Sequence, residues 1–254
     1  MEFKELGLSD ATVQAIEERR ITRPTTVQSD VIPSILEGKD IFTIAPQRSG
    51  KTFSYVLPLI DIIAARKNQN ILIITPDSFQ ANNVSDCFAL FNKYHQNAEE
   101  DESNVVIATP DLVLELEGEE KIDLSKIHIL VVDDINLIKK RRQLSNLEKI
   151  LEKLPAEKQN IVFTNRRSKE TQSILDKILK TPTEIKVDKT KVDEAVVASE
   201  SDKPEQKTSS LEPTAQAKYN LPLDEKALAL MKKHHVFNDK TPKYLLIAGM
   251  LKNS

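Results

Sequence analysis

Residues 45–52 read Ala45-Pro46-Gln47-Arg48-Ser49-Gly50-Lys51-Thr52. Before them, Gly38-Lys39-Asp40 forms a turn signal and Ile41 to Ala45 is a short apolar run; after them, Thr52 to Arg66 has a helical pattern. A loop that joins a strand to a helix and ends Gly-Lys-Thr has the chemistry of a phosphate loop. Its backbone N–H groups and the helix N-terminus face an anion, a lysine reaches the outer phosphates, and a threonine hydroxyl ligates a divalent cation. On this reading Ser49, Gly50, Lys51 and Thr52 bind the phosphates and Thr52 is also a metal ligand. The competing reading, a chance turn ahead of a helix, explains neither the flanks of the loop nor the rest of the chain.

Working outward from the loop, short apolar runs alternate with helical stretches. Ser9-Asp10 caps a helix carrying Val13 and Ile16, and a second helix runs from about Val27 to Leu36 beyond Pro24. Downstream, runs at Ile71–Ile74, Val105–Ala108, Ile127–Val132 and Ile161–Phe163 are separated by helical patterns near 81–94, 111–116, 135–154 and 169–179, and Glu184–Val187 is a closing strand. Strands that are apolar on both faces and separated by helices predict a mainly parallel sheet covered on both sides, a three-layer α/β domain ending near residue 188. From Lys189 to Leu221 the chain turns to Lys, Glu, Ser, Thr and Pro, a composition that predicts a flexible linker. Beyond it, Leu228, Leu230 and Met231 on Asp224–His235 and the apolar patch Tyr244–Leu251 predict a short helical tail. The expected organisation is therefore 1–188, 189–221 and 222–254.

Composition narrows the function classes. A hydrophobic content of 39% supports a core, and a net charge of −3 gives no global attraction to nucleic acid, so any RNA site must be a local basic patch. A single cysteine, Cys87, rules out an internal disulfide or a multi-cysteine metal site and is read as a small buried residue. Glu2, Lys4 and Glu5 near the start are unlike a secretion signal, and no uncharged apolar run approaches the ~20 residues that span a bilayer. The expectation is a cytoplasmic protein without membrane contact. His234-His235 is read as a surface pair. Lys139-Lys140-Arg141-Arg142 and Arg166-Arg167 are read first as solvated faces and second as an RNA or partner patch.

The segment Arg20-Ile21-Thr22-Arg23-Pro24-Thr25-Thr26-Val27-Gln28, with Phe3 upstream, resembles the Q motif of DEAD-box RNA helicases. The likeness continues in order through Thr75-Pro76, Ala108-Thr109-Pro110, Val131-Val132-Asp133-Asp134, Phe163-Thr164-Asn165 and Pro182-Thr183, matching the family's motifs Ia, Ib, II and III and the end of its first domain. The resemblance covers about residues 3 to 188 and implies a RecA-like domain that binds ATP with Mg²⁺. It implies that Gln28 and Phe3 read adenine, that Asp133 and Thr52 hold the metal, and that Asp134 stands at the catalytic acidic position.

Several letters depart from the family. Arg48 replaces a loop glycine that allows close backbone approach. Asp133-Asp134-Ile135-Asn136 replaces Asp-Glu-Ala-Asp, so Asp134 is shorter than the family's Glu by about 1.5 Å. A catalytic group misplaced by ~1 Å can cost about 10²-fold in rate. Thr164-Asn165-Arg166 replaces Ser-Ala-Thr, and Ser78, Asp111 and Leu112 stand where the family's motifs Ia and Ib bind RNA. Nothing after residue 188 resembles the second helicase domain or its arginine finger. The expected function is a degenerate ATP-binding domain with slow or no hydrolysis, no autonomous unwinding, weak RNA contact, and a tail that docks a protein partner. Two alternatives stay open: a scaffold that binds no nucleotide, and an RNA-dependent ATPase completed in trans.

Overall fold

The computed structural model of the protein describes residues 1–66, 68–95, 104–187 and 245–247. Seven strands, β1 (Ile41–Ile44), β2 (Asn70–Ile74), β3 (Asn104–Ala108), β4 (Ile129–Val132), β5 (Gln159–Thr164), β6 (Thr183–Lys186) and β7 (Leu245–Ile247), form one sheet in the order β6-β1-β5-β4-β2-β3-β7. Every pairing is parallel. The helices are α1 (Asp10–Glu18), α2 (Thr26–Leu36), α3 (Lys51–Ala65), α4 (Ser78–Phe91), α5 (Pro110–Gly118), α6 (Ile135–Lys140), α7 (Leu144–Lys153) and α8 (Lys169–Ile178).

The two-residue side-chain period of a strand divides the core into two layers. Ile71, Ile73, Val131, Ile161 and Phe163 face α1 to α4 and pack with Val13, Ile16, Ile35, Leu59 and Phe88. Leu72, Ile74, Leu130, Val132 and Val162 face the other way and pack with Val113, Leu116, Ile138, Leu147, Ile150, Ile174 and Leu175 of α5 to α8. All four residues of β1 and all four of β4 are buried, as the apolar runs predict. A three-layer α/β domain with a parallel sheet results. Since all strands point the same way, the loops that follow β1, β2, β3, β4 and β5 gather at one edge, where ligand sites of open parallel sheets lie.

Several expected boundaries shift. Ile127 ends a 3₁₀ turn over Leu124–Lys126, nucleated by the Asp123 carboxylate accepting from the Ser125 N–H, so β4 starts at Ile129. The expected helix to Leu154 is two helices, interrupted at 141–143, where Arg142 takes a left-handed φ of 60°. Cys87 is half-buried rather than fully buried, and burial with the nearby Asp86 pushes its thiol up to about 12. The helical tail is corrected at Leu245–Ile247, a strand pairing Leu245 with Val105 and Ile247 with Ile107; the open edge of β3 supplies the backbone partners these apolar residues use. The boundary at 188, the linker and the rest of the tail, including His234-His235, lie outside the described residues. No helix among the described residues is long and apolar enough to cross a membrane.

The N-terminal segment is fastened by a buried carboxylate. Asp61 of α3 accepts hydrogen bonds from the Ser9 backbone N–H (2.7 Å), the Ser9 hydroxyl (2.6 Å) and the Thr12 hydroxyl (2.5 Å), while His95 Nε2 lies 3.4 Å from it. Ser9 is also the N-cap of α1, its oxygen accepting from the Thr12 N–H. Burial raises the Asp61 pKa, but hydrogen bonds from His95, Ser9 and Thr12 outweigh it and leave the carboxyl below its ordinary value. A depressed folded-state pKa stabilises above the unfolded-state value, and that contribution is lost as pH falls through the folded value. Asp61→Ala should therefore cost about 3 kcal/mol near neutral pH, since it strands buried donors of a charged acceptor. Urea denaturation should show the gap to wild type shrinking in acid; a pH-independent gap would mean that Asp61 holds the segment by packing alone.

Candidate functional site

The 45–52 loop leaves β1 at Ile44 and enters α3 at Lys51. Arg48 and Gly50 both adopt left-handed backbone, φ 64° and 87°. Arg48 occupies such a position at the cost a β-carbon brings, and its side chain is exposed, whereas Ser49 is buried. Within the loop the Ser49 hydroxyl donates to the Pro46 carbonyl (2.8 Å), and Lys51 Nζ donates to the carbonyls of Ala45 (3.1 Å) and Pro46 (3.4 Å). From outside, the start of α2 grips it. The Thr25 hydroxyl donates to the Ser49 carbonyl (2.9 Å), and Gln28 Nε2 donates to the Gly50 carbonyl (3.3 Å) while its Oε1 accepts from the Thr25 N–H (2.9 Å). Gln28 thus completes the capping box of α2 and clamps the loop with the same amide.

At the end of β4, Asp133 is 3% exposed. Burial pushes its carboxyl above the ordinary value, opposed by a hydrogen bond from Gln80, the charge of Lys51 and a hydrogen bond from Tyr55. Its Oδ2 accepts from Gln80 Nε2 (2.8 Å) and from the Tyr55 hydroxyl (3.1 Å). Burial and the neighbouring Asp133 charge raise the Tyr55 phenol well above its usual range, which keeps it a donor. Gln80 Nε2 also lies 3.4 Å from Thr52 Oγ1. One nitrogen therefore marks the point on which a carboxylate oxygen and a hydroxyl oxygen converge. Such a pair suits a hard, oxygen-seeking cation that keeps waters and phosphate oxygens as its other ligands. Among the described residues no cluster of three or more His, Cys, Asp or Glu forms a cage of its own.

Asp134 is the N-cap of α6, at φ 60°, with its carboxylate accepting from the Leu137 N–H (3.2 Å). It is 4% exposed; burial raises its pKa and the charge of Lys51 opposes the rise. Asn136 joins β4 to the loop after β5, its amide donating to the Thr164 hydroxyl (2.7 Å), Asn165 Oδ1 (3.2 Å) and the Arg166 carbonyl (2.7 Å). The link between the end of β4 and the loop after β5 is thus made by one neutral amide with three acceptors around it.

The structure gathers Ser49, Gly50, Lys51, Thr52, Asp133 and Asp134 at one edge and sets Gln28 against the loop. Phe3 does not join them: it is 4% exposed and packs in the core with Leu6 and the α2 side chains. Three of the six basic residues in the runs 139–142 and 166–167 have acidic partners. Lys139 bonds Glu170 (2.8 Å), Arg141 bonds Asp77 (2.7 Å), and Arg167 pairs with Glu184. Lys139, Lys140, Arg166, Arg167 and Lys186 also line a groove of about 1280 Å³ beside the loop residue Gln47.

A sequence profile of the DEAD/DEAH box helicase family matches residues 25–174, more than half of the chain. The chain belongs to the DEAD/DEAH box helicase family. It is 27% identical over 204 residues to the ATP-dependent rRNA helicase RRP3 of Encephalitozoon cuniculi (strain GB-M1), covering 73% of this chain and 51% of that protein. It is also 27% identical over 203 residues to the ATP-dependent RNA helicase DeaD of Buchnera aphidicola, covering 73% of this chain and 34% of the relative. The chain thus spans about half or less of the length of these relatives. Its fold is that of a DEAD box protein from the hyperthermophile Methanococcus jannaschii, with a TM-score of 0.67 at 24% identity over 74% of this chain and 56% of the other. A hypothetical ATP-dependent RNA helicase from Sulfolobus tokodaii gives a TM-score of 0.64 at 22% identity, over 71% and 57%. The RecA-like assignment made from the motifs holds for this domain.

Sequence reasoning missed Thr25, Tyr55 and Gln80. Tyr55 carried a faint signal, a hydroxyl three residues after Thr52 and so on the same helix face. Gln80 carried one as well: it sits in the first turn after β2, at the edge where the site assembles. The clamp on the loop gives a stability prediction. A β-carbon on Gly50 would lie 2.5 Å from Gln28 Nε2 and 2.9 Å from Thr25 Oγ1, whereas one on Gly38, also left-handed at φ 77°, meets nothing within 4 Å. Gly38→Ala should cost about 1 kcal/mol in urea denaturation and Gly50→Ala clearly more, with Gln28→Ala narrowing the difference. Equal costs would show that the amide is not held against Gly50.

Proposed function

We propose that this domain binds an adenine nucleotide with Mg²⁺ at the 45–52 loop and turns it over very slowly. The observation that carries the reading is the convergence of Thr52 and Asp133 on one point at the mouth of a loop that also presents Lys51. The N-terminus of α3, fifteen residues long, supplies backbone donors and a favourable dipole for phosphate. Mg²⁺, when bound, would neutralise charge on the outer phosphates, and Thr52 and Asp133 are the residues to hold it. Gln28 shapes the loop and is the candidate base reader. Phe3 contributes to that reading by packing behind α2 rather than by offering an open face.

Slow turnover follows from Asp134. A base that activates water needs a carboxylate in reach of that water. This one is buried, and one of its oxygens is engaged by the N–H of Leu137. The family's helicase activity depends on a second domain, and this chain matches only part of the length of its relatives. RNA contact at this domain is proposed to be weak, since Asp77 and Asp111 stand at the first turns after β2 and β3, and Lys139, Arg141 and Arg167 have acidic partners. The tail is proposed to dock a protein partner.

One observation favours the scaffold reading: Lys51 and the metal pair already have partners inside the protein. Titration of a fluorescent ADP with and without Mg²⁺ separates the two. Wild type should bind, GDP should compete poorly, and Lys51→Ala should lose at least tenfold in affinity, about 1.4 kcal/mol. ATP turnover by the purified chain should be barely measurable and hardly stimulated by single-stranded RNA. Absence of binding by wild type would establish the scaffold; robust RNA-stimulated turnover would overturn the slow-hydrolysis reading.

A further inference from the structure

We propose that Gln80 is a gate on the metal position, its side-chain amide holding Thr52 and Asp133 in a cation-free arrangement and leaving when Mg²⁺ arrives. This rests on the proposed role of Thr52 and Asp133 as the metal pair.

The geometry is that of one donor group standing where a cation belongs. Gln80 Nε2 is 2.8 Å from Asp133 Oδ2 and 3.4 Å from Thr52 Oγ1. A Mg²⁺ ion sits about 2.1 Å from its oxygen ligands, closer than either amide contact, so an ion on the amide's side of these two oxygens would overlap Nε2. The amide hydrogens also carry positive charge and repel a cation. Amide and ion therefore exclude each other.

The gate has a fixed hinge and a free arm. Gln80 lies in the first turn of α4, where its backbone N–H donates to Asp77 Oδ1 (3.0 Å), and Asp77 is itself held by Arg141 (2.7 Å). The side chain is half-buried, so a rotamer change carries the amide off the pair without moving the helix. Asp133 does not lose all support in that move, because the Tyr55 hydroxyl still donates to it at 3.1 Å. Tyr55 thus remains as a permanent donor to Asp133, whereas Gln80 yields to the ion. Since the cation-competent state is only part of the population, the amide lowers apparent metal affinity by that fraction.

The test is Mn²⁺ binding to the full chain by electron paramagnetic resonance, with and without ADP. Gln80→Leu, which keeps a helix-forming side chain and removes the donor, should bind Mn²⁺ about tenfold more tightly than wild type. Gln80→Glu should also bind more tightly, and in EDTA it should be less stable than wild type because a second carboxylate then abuts Asp133. Unchanged or weaker Mn²⁺ binding by both variants, with binding abolished by Asp133→Asn, would overturn the gate while keeping the metal pair. Mn²⁺ binding unaffected by Asp133→Asn would overturn the metal pair itself and the gate with it.

Discussion

Burying both faces of a parallel sheet leaves only its strand ends in contact with water, and that constraint arranges the polar chemistry of this domain. With Ile71 and Ile73 committed to one layer and Leu72 and Ile74 to the other, no side chain in the middle of β2 is free for a ligand. The same holds for β4, whose residues are all buried up to Val132. Chemistry begins one residue later, at Asp133. The parallel order β1-β5-β4-β2 then brings the ends of these strands to one edge, so Lys51, Gln80 and Asp133 gather there although 29 and 53 residues separate consecutive members of the trio.

Two polar knots keep that edge in register with the helices. Asp61 gathers Ser9 and Thr12 and ties the N-terminal segment to α3. Gln28 ties α2 to the loop that begins α3. Both act on the same helix, one near its end and the other at its start, so α3 is fixed in position and its N-terminus with it. Hydrogen bonds within this network are buried or part-buried, where an unmet donor or acceptor costs more than a met one contributes. That asymmetry, rather than the strength of any single bond, makes the arrangement specific.

Much of the fold was legible because it depends on local patterns. Apolar runs of four or five residues, separated by helical stretches and punctuated by Gly38, Gly50 and Pro24, are what a covered parallel sheet demands. The loop was legible because Gly50-Lys51-Thr52 carries its chemistry in adjacent letters. What escaped the sequence depends on distance along the chain. The partners of Asp133 lie 78 residues away at Tyr55 and 53 away at Gln80. The basic run 139–142 was visible, but the pairing of Lys139 with Glu170 and of Arg141 with Asp77 arises from folding. Phe3 was assigned to a base by resemblance, whereas the docking of the N-terminal segment turns it into the core. Leu245–Ile247 has a composition that suits a helix or a strand, and the open edge of β3 decides for a strand.

If the 45–52 loop, Thr52 and Asp133 form a working Mg²⁺–nucleotide site, a nucleotide must displace the contacts that fill it. Nuclear magnetic resonance of the ¹⁵N-labelled chain titrated with Mg²⁺–ADP reads that displacement residue by residue. The largest shifts should fall at the backbone amides of 49–52, together with a change at the side-chain amide of Gln80 that appears only when Mg²⁺ is present. Saturating nucleotide that leaves those amides unmoved, or that moves only residues away from this edge, would contradict the site.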